Sequence, residues 1–292
     1  MSIANILVKQ FNANISLLSQ QKGSKLRNAV LLKTGVVGED AYLDQLKKSA
    51  AKVKTVRNAD VEYVNSEFDR RKVSMIDIYW ADLIDKEDKL KMLADPTSAY
   101  VQSATYALGR AIDDEIITRA FGTAYYGKTG TSTVTFGLAR DGSTATSIAA
   151  GGAGLTLAKL LSAKEILDNL DVDEDEPRFI AVTGTQLKNL LNTTEVKSSD
   201  YNTVKALVQG QIDTFCGFKF IKISISLLDK VASDRYVIAW AQTGLGLAIG
   251  ADISTQIDRL PVKHYSTQVY ASMSVGATRM DEDRVVRILC QE

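Results

Sequence analysis

Apolar side chains recur at three- and four-residue steps along one stretch of this chain: Val101, Ala104, Leu108, Ile112, Ile116 and Ala120. Asp95-Pro96 offers an Asp cap with proline at the first helical position, and Gly122 offers a stop. The pattern predicts a helix of about 26 residues, about 39 Å long at 1.5 Å per residue, which would form a spine. Upstream the period changes to two: within 73–82, Ile76, Ile78 and Trp80 point one way, Asp77 and Tyr79 the other. With Asn58, Asn65 and Asp69-Arg70-Arg71-Lys72 as punctuation, residues 52–84 read as a long hairpin with one apolar face. A two-stranded ribbon is marginal in water, so Ile76, Ile78 and Trp80 are candidate subunit-contact residues.

The first fifty residues are rich in Gln, Asn, Ser and Lys. Asn12-Ala13-Asn14 and Gln20-Gln21-Lys22-Gly23 read as a weakly ordered arm, relieved by apolar Val30-Leu31-Leu32 and a helical piece around Tyr42, Leu43 and Leu46. Gly, Ser and Thr dominate 127–154, which is expected to be mobile loop apart from a short strand near Val134-Thr135-Phe136. An α/β block follows: a helix carrying Leu157, Leu160, Leu161, Leu167 and Leu170, an acidic turn, and a strand at Phe179-Ile180-Ala181-Val182. Thr183 and Gln186 then have capping-box spacing before a short helix with Leu187, Leu190 and Leu191. A further helix is expected from Asp200 to Gln209, with strands at 218–225 and 236–241. The end alternates Val269, Ala271, Met273, Val275 and Ala277, turns at Met280-Asp281-Glu282-Asp283, and closes with a strand over 284–290.

The 292 residues, 45% apolar and 24% charged, suit a soluble globular chain of one or two domains. Thirty-five basic side chains balance thirty-five acidic ones, which excludes a strongly basic nucleic-acid binder and a polybasic membrane-surface protein. Neutrality also leaves association of copies unopposed. No run of eighteen apolar residues offers a membrane span, and Met1-Ser2-Ile3-Ala4-Asn5 does not open a signal peptide. Cys216 and Cys290 are expected to be reduced, buried thiols.

Candidate chemistry is sparse. A single histidine, His264, excludes schemes that need two imidazoles, and its place after Leu260-Pro261-Val262-Lys263 reads as structural or surface. There is no Gly-x-Ser-x-Gly elbow, and neither cysteine carries a nucleophile signature. Gly122-Thr123-Ala124-Tyr125-Tyr126-Gly127-Lys128-Thr129 fits the nucleotide P-loop pattern. A P-loop, however, follows a strand and opens a helix whose N-terminus cradles phosphate. Here the predicted helix comes first, so no nucleotide is expected at Lys128. The run Asp171, Asp173, Glu174, Asp175, Glu176 lacks the glycine and final carboxylate of a calcium loop and reads as a solvated turn. Arg70-Arg71-Lys72 reads as a solvated hairpin tip. No catalytic, cofactor-binding or metal-binding residue is assigned, and the chain reads as a non-enzyme.

Tyr79-Trp80-Ala81-Asp82-Leu83-Ile84-Asp85-Lys86-Glu87-Asp88-Lys89, then Asp95-Pro96, then Ala107-Leu108-Gly109-Arg110-Ala111-Ile112-Asp113-Asp114, resembles tailed-bacteriophage major capsid proteins. That shell fold is shared with encapsulins and herpesvirus capsid floors. Leu155-Thr156-Leu157-Ala158-Lys159-Leu160-Leu161, Cys216-Gly217-Phe218-Lys219-Phe220, and the ending from Tyr270 to Ile288 with Gly276-Ala277-Thr278-Arg279 agree with it in order across residues 50–292. The joint order carries the likeness; no one motif is diagnostic. The resemblance implies an α+β tailed-phage capsid fold. Its parts would be an N-terminal arm (1–51), an extended β-hairpin loop (52–88), a peripheral domain of spine helix and sheet (89–129 and 251–292) and an axial α/β domain (130–250). It also implies a major capsid protein of the virion that self-assembles in the host cytoplasm, as hexamers and pentamers, into an icosahedral shell. The shell would enclose double-stranded DNA without sequence specificity, and need neither cofactor nor membrane. About fifty residues before the loop leave no room for a scaffolding extension, so a separate scaffolding protein and a portal are expected partners. An encapsulin-like compartment and a P-loop enzyme are the alternatives. The lysine–asparagine crosslink of some relatives transfers to no numbered residue here.

Overall fold

The computed structural model describes residues 20–58, 60–61, 63–85, 97–140, 142, 144–192 and 214–292, and among these three sheets surround one long helix. The helix, α1 (Thr97–Phe121), lies on a four-stranded sheet ordered β1 (Leu31–Thr34), β13 (Leu245–Leu260), β14 (Ser266–Arg279) and β4 (Ile76–Ile84). Ala104, Leu108, Ile112, Ile116 and Ala120 are buried in one cluster with Ala271, Met273, Val275 and Ala277 of β14. The helical period and the strand alternation thus meet face to face. Twenty-five residues make α1 about 37 Å long. Its expected cap, Asp95-Pro96, lies outside the described residues. At the other end Gly122 N–H still donates to Thr118 O at 3.0 Å. The stop comes from β14: Arg279 Nη1 donates to Ala120 O and Gly122 O at 2.8 and 2.9 Å, placing a cation at the negative helix end.

The sixteen-residue strand β13 has no counterpart in the sequence reading. Its first five residues are all buried and most of the rest are exposed, with register shifts around Ala251, so no single period runs through it.

A seven-stranded sheet has the order β7 (Ser147–Ile148), β15 (Val285–Gln291), β12 (Asp234–Ala241), β8 (Arg178–Val182), β10 (Phe218–Lys222) and β9 (Thr214–Phe215), with β11 (Lys230–Val231) beside β12. β15 was expected to return to the peripheral sheet; it pairs here instead, with β12 and β7. The core of this unit joins Leu160 and Leu167 of α2 (Leu157–Asn169) and Leu190 of α3 (Gly184–Asn192) to Ile180, Phe218, Val237 and Ile288. Half of the expected capping box forms. Gln186 Oε1 accepts from Thr183 N at 2.9 Å, while Thr183 Oγ1 donates to Glu292 at 3.2 Å. The helix expected over 200–209 lies outside the described residues.

The third sheet, β2 (Asp40–Leu46), β3 (Phe68–Ser74), β5 (Ala124–Tyr126) and β6 (Ser132–Val134), corrects two expectations. Tyr42, Leu43 and Leu46 lie on a strand, not a helix. The antiparallel ladder from Asp40↔Ser74 to Leu46↔Phe68 takes their backbone bonds, and Asp40–Lys72 (2.8 Å) and Asp44–Arg70 (2.6 Å) pair across it. The hairpin is therefore β2–β3, not a ribbon within 52–84. After Met75 the chain enters β4, which pairs with β14 from Ile76↔Val275 to Ile84↔Thr267. Gly276 permits this crossing: a Cβ there would collide with the Ser74 carbonyl and sit 3.0 Å from Val73 Cγ1.

Residues 20–30 also depart from expectation. They are a strap on the main core rather than a loose arm, with Leu26, Ala29 and Val30 at most 3% exposed. Their polar composition hides three apolar anchors around the 3₁₀ turn Arg27–Ala29. In 127–154 the strand is at Ser132–Val134, two residues early, and β7 was missed.

Candidate assembly surfaces

Lys47 N–H donates to Glu67 O at 2.9 Å, closing the base of a long tip at residues 47–67. Around this tip Leu46, Val53, Val56, Val61, Tyr63, Val64 and Phe68 are exposed, Val53 by 86% and Tyr63 by 83%. Scattered single apolar residues need no explanation, but several on one protrusion mark a surface that the described residues leave uncovered. The root is fixed by Ala41 and Val73, which pack on Ala248 of β13. Lys48 also pairs with Asp171 at the end of α2.

Ile76, Ile78 and Trp80 lie on the inner side of β4 and pack, partly buried, on the α1 cluster. Trp80 meets Tyr100 of α1 at 6.4 Å between ring centres. The premise of a bare ribbon fails, because β14 pairs along β4 and α1 packs on that face, leaving the three side chains half-buried. On the opposite side Tyr79 is 69% exposed and stacks on Tyr270 at 6.1 Å.

Where the hairpin root, the end of α1 and the β5–β6 turn meet, three charges are buried together. Arg71, Glu282 and Arg279 are 2%, 3% and 0% exposed. Arg71 Nη2 donates to Glu282 Oε2 at 2.5 Å; Arg279 Nε reaches Glu282 Oε1 at 3.4 Å, and its Nη2 reaches Val134 O at 3.1 Å. Arg279 also lies 5.3 Å from the Phe136 ring centre and Arg71 5.5 Å from that of Tyr126. Burial pulls the Arg279 guanidinium below its ordinary value, against the attraction of Glu282. A cavity of about 640 Å³ opens beside the junction, lined by Lys47, Asp69, Tyr126, Phe136 and Arg140 among others. Sequence reasoning missed this cluster. Composition places Arg71 at a solvated hairpin tip, whereas folding buries it on Glu282.

The P-loop-like stretch is built otherwise than a phosphate cradle. From Phe121 it passes through β5 into a turn, with Gly127 and Gly130 at φ 92° and 65° and Gly130 N–H on Gly127 O at 3.1 Å, and then enters β6. No helix opens after Lys128. His264 is exposed on the turn between β13 and β14, in the left-handed conformation. In the acidic run Asp171 pairs with Lys48, and Glu176 accepts from Thr243 and Arg284. Both cysteines are free; burial pushes the Cys290 thiol up to about 12 and that of the half-buried Cys216 upward too.

Comparison with known proteins agrees with this architecture. The family model described as phage capsid protein matches residues 3–292. No curated protein matches in sequence. The chain is similar to the capsid structure of the cyanophage P-SCSP1u (15% identity, 99% of this chain and 94% of that one, TM-score 0.72). It is likewise similar to the capsid of Ralstonia phage GP4 (9%, 98% and 95%, 0.75) and to the head of Helicobacter pylori bacteriophage KHP40 (12%, 99% and 98%, 0.74). At these identities the likeness shows the fold alone; with the family model spanning nearly the whole sequence, the chain belongs to the phage capsid protein family.

Proposed function

We propose that this capsid protein closes into an icosahedral shell as hexamers and pentamers, and that the shell encloses double-stranded DNA. The tip at residues 47–67 carries the proposal: it holds exposed Val53, Val56, Val61, Tyr63 and Val64 on a hairpin that buries none of them. A surface of that kind is covered when a second copy supplies the partner. The uncovered parts of Ile76, Ile78 and Trp80 would add to the same contact. A net charge of zero suits a container wall, since a strongly basic one would hold the genome through counterion release and hinder its exit. The role is structural; assembly would proceed in the host cytoplasm with a separate scaffolding protein and a portal.

Sedimentation of wild type beside the double variant Val53→Ser, Tyr63→Ser tests this. Wild type should form large particles or rings, and the variant should remain as folded small species with unchanged circular dichroism. Normal assembly by the variant would remove the tip from the contact.

A further inference from the structure

We propose that Asp113 is a latch that holds residues 20–26 on the middle of α1, so that the N-terminal strap and the spine helix move as one body. The carboxylate is 0% exposed. Its Oδ1 accepts from Ser24 Oγ at 2.5 Å and from the main-chain N–H groups of Lys25 and Leu26 at 3.1 and 3.0 Å. Its Oδ2 accepts from Gln21 Nε2 at 2.5 Å and from Lys25 N at 3.0 Å. Two successive backbone amides converging on one carboxylate form an anion-binding concavity, and hydrogen bonds to an ionised acceptor are the strong kind. The donors are amides and a hydroxyl, supplied by a segment with only three apolar anchors of its own.

Two neighbours on α1 complete the seat. Arg110 Nη1 donates to Gln20 Oε1 at 3.0 Å and to Gln21 O at 3.2 Å. Gly109 lets the strap touch the helix backbone, since a Cβ there would fall 2.6 Å from the Gly23 carbonyl carbon. At the far end Trp240 Nε1 donates to Ala29 O at 2.8 Å, and Arg27 grips Asp252 at 2.7 Å. A pull applied upstream of Gln20 is therefore delivered to α1 at Gly109–Asp113 rather than lost in a soft joint. An apolar residue at 113 would keep α1 packed on its sheet but leave the strap unfastened.

Hydrogen exchange on the full chain tests the latch. In wild type the Lys25 and Leu26 amides should be protected to within about threefold of the α1 amides, as parts of one opening unit. Asp113→Ala should lower protection across 20–26 by about tenfold or more while β12 changes less than about twofold. Ser24→Ala, which removes one donor to Asp113 together with the acceptor of the Arg27 N–H, should lower it by about threefold and serves where Asp113→Ala does not fold. Free-peptide exchange at residues 25 and 26 in wild type, or unchanged protection of 20–26 in either variant, would overturn the proposal.

Discussion

Replacing Glu282 by Gln removes one charge, keeps the shape, and leaves two buried guanidinium groups without a counter-ion. Arg71 already has Nε and Nη1 without hydrogen-bond partners, so it has nothing in reserve. Arg279 keeps its three carbonyl acceptors but loses the attraction that opposes its desolvation. Breaking a buried ion pair from one side typically costs about 3–5 kcal/mol. The contacts of the two guanidinium groups with the Tyr126 and Phe136 rings are present before and after the change and do not offset this cost. An unfolding entropy of about 2.1 cal/mol/K per residue then implies a melting point lower by about 5–8 °C. Urea unfolding of unassembled subunit, followed by tryptophan fluorescence, reads the change. Glu67→Gln, at the exposed end of the Lys47–Glu67 pair, is the control and should leave the midpoint where it is. If Glu282→Gln lies within about 1 kcal/mol of wild type, the junction is no stronger than a surface ion pair and the reasoning fails.

Gly276→Ala should destabilise by about 1–3 kcal/mol in the same unfolding assay, because its Cβ meets the Ser74 carbonyl rather than a flexible side chain. Burial pushes the Asp283 carboxyl above its ordinary value, more than its bond from Arg140 N (2.6 Å) pulls it down. As pH rises from about 4 through the folded-state value, the unfolded chain ionises first and stability falls. Asp283→Asn keeps the acceptor and should flatten that slope, as denaturation midpoints measured across pH would read; an unaltered slope would assign it elsewhere. Trp80→Ala should lower subunit stability by about 2–4 kcal/mol and also reduce particle closure, whereas Tyr79→Ala should leave stability nearly unchanged. Equal stability losses for the two would reverse the inward and outward assignment of β4.

Local period was the readable part of this chain. The helical face from Ala104 to Ala120 and the alternation from Val269 to Ala277 each match one element, because each buries one side against the other. Errors arose where one segment serves two partners. Residues 68–84 carry a continuous strand-like pattern, and period alone cannot tell that Met75 divides two strands belonging to different sheets. Tyr42, Leu43 and Leu46 fit a helix by spacing and a strand by pairing, and the ladder to β3 decides. β13 is half interior and half surface, so it offers no single period. The sequence pattern drew attention to the apolar side of β4, where Ile76, Ile78 and Trp80 are half-buried on α1, whereas the exposed apolar side chains at 46–68 follow no period that would single them out. The buried Arg71–Glu282–Arg279 junction depends on chain segments that meet only after folding, and composition counts such charges as solvated.

Electron microscopy of the purified, concentrated chain tests shell closure itself. Closed shells of uniform diameter with five- and six-fold clusters are expected, the 47–67 tip of each copy lying on a neighbour. A 31.8 kDa monomer at every concentration, with no shell or ring, would contradict the proposed assembly.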